Sequence, residues 1–298
     1  MADLRFCLAR LILISIALWA FVPHAAAATV EPVRIALTDA MFTDEPQTRA
    51  QWADYLGRKL QRPVLFVERR TYNDVQQLIR LGEVDFAWIC GLPYVLGARQ
   101  HFMRYVATPE FNGGVTYRIY VIAAAGRQDV DAKSLRGRIF AFSDPDSVSF
   151  RALVAGAVHP VEPIDDLNRY FSVYFFTSNH ADTIHAVADG VADAGSVDGQ
   201  IWDIMAQTEP QTVRRTRVIA RSEHYGLPPI VAAAHVSDAL LAQMRDGLIA
   251  MSADSEGKRI LARLRIDGFG VYPDALYDSI RRGPALDAIG VGSSMRAE

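Results

Sequence analysis

Cysteine is almost missing from this chain: 298 residues carry two, Cys7 and Cys90. The first lies in a leader. Arg5 and Arg10 precede an apolar core from Leu11 to Val22, and Ala25 to Ala28 supply small residues for cleavage. That is the pattern of a secretory signal peptide, here residues 1–28, and its apolar run is short for a membrane span. Cys7 stands ahead of the apolar core, where a lipid-anchor cysteine would not be. The mature chain, read as beginning near Thr29, keeps Cys90 alone, which excludes an internal disulfide. An exported chain without that staple must rest on a large apolar core, and about 270 residues suffice for one, split between two domains.

Other absences narrow the function. No second long apolar run follows the leader, so no direct membrane insertion is expected after cleavage. Charge of one sign is not in excess: 31 basic residues face 34 acidic ones, a formal net charge of −3. Removing Asp3, Arg5 and Arg10 takes it to −4, because two positive charges and one negative charge leave. Such a surface has no electrostatic case for nucleic acid or an anionic membrane. Histidines at metal-ligand spacing are lacking too. His185 follows His180 by five residues, and His101, His159, His224 and His235 form no catalytic or metal pattern. No cofactor is called for, and small molecules and partner proteins remain.

What is present is a rhythm of strands and helices. Val33–Leu37, Val64–Val67, Val84–Ile89, Arg138–Phe142, Phe171–Phe176 and Ala192–Ser196 read as strands, with amphipathic stretches such as Arg49–Leu60 between them. The rhythm predicts an α/β fold with mixed, mainly parallel sheets flanked by helices, in which ligands gather at the carboxyl ends of strands. The chain also repeats itself. Residues 71–91 superimpose on 179–199 so that Asp74 meets Asp182, Gly82 meets Gly190, Asp85 meets Asp193 and Gly91 meets Gly199. Each copy has a polar N-cap, an acidic residue three positions on, a glycine stop and a short strand. The repeat implies two similar lobes, with Tyr72 in the place of His180 and Cys90 in the place of Asp198.

A third feature is the segment 143–150, Ser-Asp-Pro-Asp-Ser-Val-Ser-Phe, at the handover from a strand to a helix. Hydroxyls and carboxylates there cap the first-turn N–H groups, and the same N–H groups and helix dipole attract an anion. Two long runs, 116–125 and 216–234, read as crossings between the lobes. We expect lobe 1 to comprise 29–118 with 226–282, lobe 2 to comprise 119–225, and 283–298 to form a mobile tail. Two crossings allow hinged closure over a ligand.

The segments "GEVDFAWICGLPYVLGAR", "YRIYVI", "SLRGRIFAFSDPDSVS", "SNHADTIHAVADGVADAGSVD" and "IDGFGVYPDALYDSIR" occur in an order and spacing that resembles one family across the mature chain. It is that of the phosphate/phosphite/phosphonate-binding proteins of ABC transporters. The resemblance implies the two-lobed type II periplasmic binding-protein fold, a periplasmic location, and capture of an anionic or zwitterionic small molecule for the membrane permease of an importer. It implies that Ser147 and Ser149 and nearby N–H groups hold a phosphorus oxyanion, that His180 also contacts it, and that Tyr72 and Tyr94 close over it. In aminophosphonate binders an acid at the position of Asp198 pairs with the ligand's amine.

The chain departs from the pattern at Val148, which lacks a hydroxyl donor, and at Phe150, which is expected to crowd the seat. Three other readings stand beside this one. Cys90, His180 and Asp198 could serve as nucleophile, base and orienter of an enzyme. Tyrosines, histidine and aspartate could bind ferric iron. A sensor docking on a receptor would use the same cleft.

Overall fold

The computed structural model describes residues 31–38 and 46–283. The leader, its cleavage point and the tail from residue 284 lie outside the described residues. The strands are β1 (Val33–Thr38), β2 (Val64–Arg69), β3 (Phe86–Trp88), β4 (Met103–Glu110), β5 (Thr116–Ala124), β6 (Ile139–Phe142), β7 (Val173–Phe176), β8 (Ala194–Asp198), β9 (Thr216–Gly226), β10 (Ile230–Ala233) and β11 (Gly268–Gly270). The helices are α1 (Pro46–Leu60), α2 (Tyr72–Leu81), α3 (Gly91–Arg99), α4 (Val148–Val154), α5 (Leu167–Tyr170), α6 (His180–Ala188), α7 (Gly199–Thr208), α8 (Pro210–Val213), α9 (Asp238–Ala250), α10 (Ser255–Leu264) and α11 (Asp278–Arg281).

Two mixed sheets result. The first has the order β11-β4-β10-β3-β1-β2 and the second β7-β6-β8-β5-β9. Parallel pairing is confined to β1 with β2 and β3, and to β6 with β7 and β8. The remaining neighbours, including the crossing strands β5 and β9, pair antiparallel. The mixture is therefore more even than the strand–helix rhythm suggests. The chain leaves the first sheet through β5, returns through β9 and inserts β10 between β3 and β4. Both crossings fall where the two β-rich runs of the sequence lie.

Local chemistry sets the helices that matter. Thr71 caps α2 by accepting from the Asp74 N–H at 3.1 Å, and Gly82 ends it in the left-handed region at φ 72°. Asn179 caps α6 by accepting from the Asp182 N–H at 2.6 Å, and Gly190 follows that helix at φ 75°. The repeat in the sequence is thus a repeat in space. In each copy a capped helix, a left-handed glycine and a buried strand follow in order.

Each lobe has an aromatic centre. In the first, Trp52 packs on Phe66 and Trp88 at ring separations of 5.0 and 5.9 Å. In the second, Phe150 lies edge-on to Phe142 at 4.9 Å and to Phe176 at 5.2 Å, fully buried. This corrects the expectation that Phe150 crowds an anion seat. Its ring turns into the core, where Phe142 on β6 and Phe176 on β7 receive it. Phe150→Ala should accordingly cost about 3–5 kcal/mol of stability in urea unfolding, as for a buried aromatic. A cost below about 1 kcal/mol would contradict this packing role.

Candidate functional site

The site grows from the end of β6. There the chain turns through Ser143 and Asp144 into α4, whose N-cap is Ser147. The Ser147 hydroxyl accepts the Phe150 N–H at 3.1 Å, which fixes the first turn. Three hydroxyls meet at this point. Ser147 and Ser149 Oγ are 3.0 Å apart, and Ser143 Oγ is 3.4 Å from each. All three residues are fully buried. Hydroxyls that bond mainly to one another at the start of a helix can turn their protons toward an incoming acceptor at little cost.

Beside this triad stand the two residues that the repeat aligns with first-lobe positions. His180 opens α6 and Asp198 closes β8, both at most 1 % exposed. The Asp198 N–H donates to His180 Nδ1 at 3.2 Å, so a neutral ring carries its proton on Nε2. That Nε2 has no well-formed hydrogen bond, although Asp198 Oδ2 lies 3.4 Å away. Asp198 Oδ1 has no partner among the described residues. A buried donor and a buried acceptor left open side by side carry a desolvation penalty that a ligand would relieve.

The first lobe supplies the facing wall. Tyr72, first residue of α2, and Cys90, just past β3, adjoin one another as His180 and Asp198 do. Burial pushes the Tyr72 hydroxyl well above its ordinary value, and Cys90, Asp198 and Asp144 add to the rise. Burial likewise pushes the Cys90 thiol up to about 12, with the Asp198 charge adding to it. The Val148 N–H, first of α4, and the Leu92 N–H lie near the thiol and work against that rise. Tyr117, at the start of β5, is also buried, and its hydroxyl is pushed well up by burial and by Asp198 and Cys90. The Tyr117 hydroxyl has no hydrogen-bond partner among the described residues, and the Tyr72 hydroxyl has only the adjoining Cys90 thiol, a weak partner.

Asp144 ties the walls together. Its Oδ2 accepts the Tyr72 backbone N–H at 3.1 Å and its Oδ1 accepts that of Asp146 at 2.7 Å. Burial nevertheless raises its carboxyl to about 6, since desolvation outweighs both bonds.

Of the six residues singled out in the sequence, Tyr72, Ser147, Ser149, His180 and Asp198 line one buried cluster. Tyr94 does not join it. Its hydroxyl donates to Asp274 Oδ1 at 3.1 Å, and its ring packs on Tyr277 at 4.9 Å and Tyr105 at 6.1 Å. Asp274 and Tyr277, both far along the chain, hold its side chain there. Sequence reasoning missed Ser143, Asp144 and Tyr117. Ser143 and Asp144 were in plain view within the 143–150 segment, but capping alone did not separate them from their neighbours. Tyr117 carries only the signal of an inward position on a crossing strand. Among the described residues no group of histidine, cysteine and acidic side chains is arranged to hold a metal, and no helix is long and apolar enough to cross a membrane.

The Asp144 shift sets a pH dependence. A carboxyl raised on folding adds stability that is fully present below its unfolded value near 4 and is lost as pH rises through about 6. Relative to Asp144→Asn, the ligand-free wild type should therefore lose on the order of 2–3 kcal/mol between pH 4 and 7.5. Urea midpoints for both proteins across that range would measure it. Parallel pH profiles would contradict the buried, raised carboxyl.

Similarity to known proteins bears on this cluster. Residues 40–277 match the family model described as "ABC transporter, phosphonate, periplasmic substrate-binding protein". Among solved structures, the binding-protein component of an ABC phosphonate transporter from Pseudomonas aeruginosa is similar at a TM-score of 0.77 and 18% identity, covering 90% of each chain. PhnD1 of Prochlorococcus marinus in complex with methylphosphonate gives 0.73 and 16%, covering 87% of this chain and 99% of that one. A Xanthomonas citri protein bound to ATP gives 0.67 and 15%, covering 90% and 99%. At these identities the structural likeness establishes the two-lobed fold, and the family match over most of the length goes further. The chain belongs to the periplasmic substrate-binding proteins of phosphonate ABC transporters.

Proposed function

We propose that this protein captures a phosphorus oxyanion of the phosphonate class between its lobes and delivers it to the permease of an ABC importer, after export directed by residues 1–28. The observation that carries the proposal is the buried triad of Ser143, Ser147 and Ser149 at the start of α4, next to an open Nε2 on His180. Across from it stand two buried tyrosine hydroxyls, Tyr117 without a partner and Tyr72 with only the Cys90 thiol beside it. Donors without acceptors, gathered in a dry site, are what an oxyanion needs. Binding would proceed by hinge closure on β5 and β9, and no bond is made or broken.

In this reading Ser147, Ser149 and His180 hold the anion, Tyr72 and Tyr117 close over it, and Tyr94 supports the first-lobe wall from behind through Asp274. Two carboxylates, Asp144 and Asp198, share the cluster. A carboxylate beside an anion is costly unless a cation lies between them. The open Oδ1 of Asp198 therefore favours a zwitterionic ligand whose ammonium group it meets. A thiol raised to about 12 is a poor nucleophile at neutral pH, so Cys90 lends no support to an enzymatic reading.

Calorimetric titration with methylphosphonate and 2-aminoethylphosphonate tests the proposal. Ser149→Ala and His180→Ala should each weaken binding by roughly 10- to 100-fold, the loss of one hydrogen bond to a charged oxygen. Asp198→Asn should weaken the aminophosphonate while sparing methylphosphonate. Absence of binding by either compound to the wild type would reject the phosphonate reading.

A further inference from the structure

The crossing ribbon has a second face. On it lies a cavity of about 510 Å³ bounded by the turn after β4, by β5 and β9, and by the first turn of α7. In the register of the ribbon Tyr120 stands opposite Arg221, and Arg118 opposite His224. Register partners project to the same side of a sheet, so these four side chains share one face. Tyr117, one position away, also borders the cavity, while its hydroxyl faces Asp198 and Cys90. Asp198 is the register partner of Ile119, so it stands on the face of β5 opposite to Arg118 and Tyr120, and the cavity and the oxyanion cluster are neighbours that share Tyr117.

Its chemistry is that of an anion site. Neither Arg118 nor Arg221 has a carboxylate in ion-pair range among the described residues, in contrast to ten other arginines such as Arg58, Arg127 and Arg138. Arg118 Nε donates to His224 Nε2 at 2.9 Å, and Thr116 Oγ1 holds the other ring nitrogen at 3.1 Å. That chain fixes the guanidinium and leaves its terminal N–H groups free. The Arg221 guanidinium lies 5.0 Å over the Tyr120 ring, which holds it without neutralising it.

Helix α7 starts at the cavity wall, and its N-cap residue Asp198 makes no side-chain cap bond, so the first-turn amides are not taken by that carboxylate. An independent sign comes from Gln200. It lines the cavity, is 7 % exposed, and its Oε1 has no partner among the described residues. Buried amides are rarely left so, and either end of this one can face a ligand by rotation about its last bond. One carboxylate, Asp203, also lines the cavity. It accepts from the Tyr120 hydroxyl at 3.4 Å and feels the Arg221 charge, so the two arginines still leave one positive charge over.

We infer that this cavity is a second ligand site, which takes a small oxyanion of the sulfate, phosphate or carboxylate kind between Arg118, Arg221 and the start of α7. Its walls come from the turn after β4, from β5 and β9 of the second sheet and from α7, and its ligand is distinct from the one held at Ser147 and Ser149.

Sulfate is the probe, with inorganic phosphate as a second, titrated by calorimetry at constant ionic strength. The proteins are the wild type, Ser147→Ala/Ser149→Ala, and Arg118→Gln/Arg221→Gln. Both arginines are exposed, so their replacement should leave the unfolding midpoint in place. The serine variant should keep saturable sulfate binding. The arginine variant should lose at least tenfold in sulfate affinity while binding methylphosphonate within threefold of wild type. Gln200→Leu should weaken sulfate in the same direction. Sulfate binding that fails to saturate in the serine variant, or that is unchanged by removing both arginines, overturns the inference. Should methylphosphonate fail to bind the wild type while sulfate still requires the arginines, the phosphonate reading falls and this one stands.

Discussion

The first residues of two helices meet groups of the opposite lobe across the cleft. The Tyr72 N–H at the head of α2 is taken by the Asp144 carboxylate of the second lobe at 3.1 Å. The Val148 N–H at the head of α4 lies near the Cys90 thiol of the first and works against the rise that burial gives it. Unpaired first-turn amides are the strongest uncompensated donors in such a fold, and burying them without acceptors would be costly. The exchange compensates both amides where the lobes approach. It also states what a ligand must do better. Sulfur is a weak acceptor, so a charged oxygen at the head of α4 improves on it.

The same exchange explains the odd electrostatics of the cluster. It holds two buried carboxylates, and Arg151, the basic side chain of α4, turns aside to donate to the Pro145 carbonyl at 2.8 Å. Donors are therefore N–H and O–H dipoles rather than full charges. Dipoles fixed by the fold hold an anion without a counterion that would have to be desolvated first. Open valences on Tyr72, Tyr117, His180 and Asp198 are the other half of the arrangement. They are tolerated because the aromatic centres on either side, around Trp52 and around Phe142 and Phe150, carry the stability of the lobes.

Much of this was legible in the sequence because the repeat is real in space. Aligning 71–91 with 179–199 paired Tyr72 with His180 and Cys90 with Asp198, and in the structure each helix-opening residue adjoins the strand-closing residue of its own lobe. Capping residues and left-handed glycines fixed those elements locally, which is why they could be read. Tyr94 could not be placed, since only the partner Asp274, 180 residues on, decides where it points. Phe150 was misjudged for a similar reason. Its neighbours in sequence are seat residues, and its neighbours in space, Phe142 and Phe176, lie on strands whose inward faces a one-dimensional pattern does not assign. Asp144 was read as a cap, and its bond to a backbone 72 positions away was invisible.

The central claim is that the amide at the head of α4 and the adjoining serines receive the anion. Amide proton and nitrogen shifts, followed by NMR as methylphosphonate is added, address it residue by residue. The account predicts that the Val148 and Ser149 amide protons move downfield by more than any others in the second lobe, as a charged oxygen replaces sulfur. Saturable binding that leaves these two amides unmoved, with the large shifts elsewhere, would contradict it.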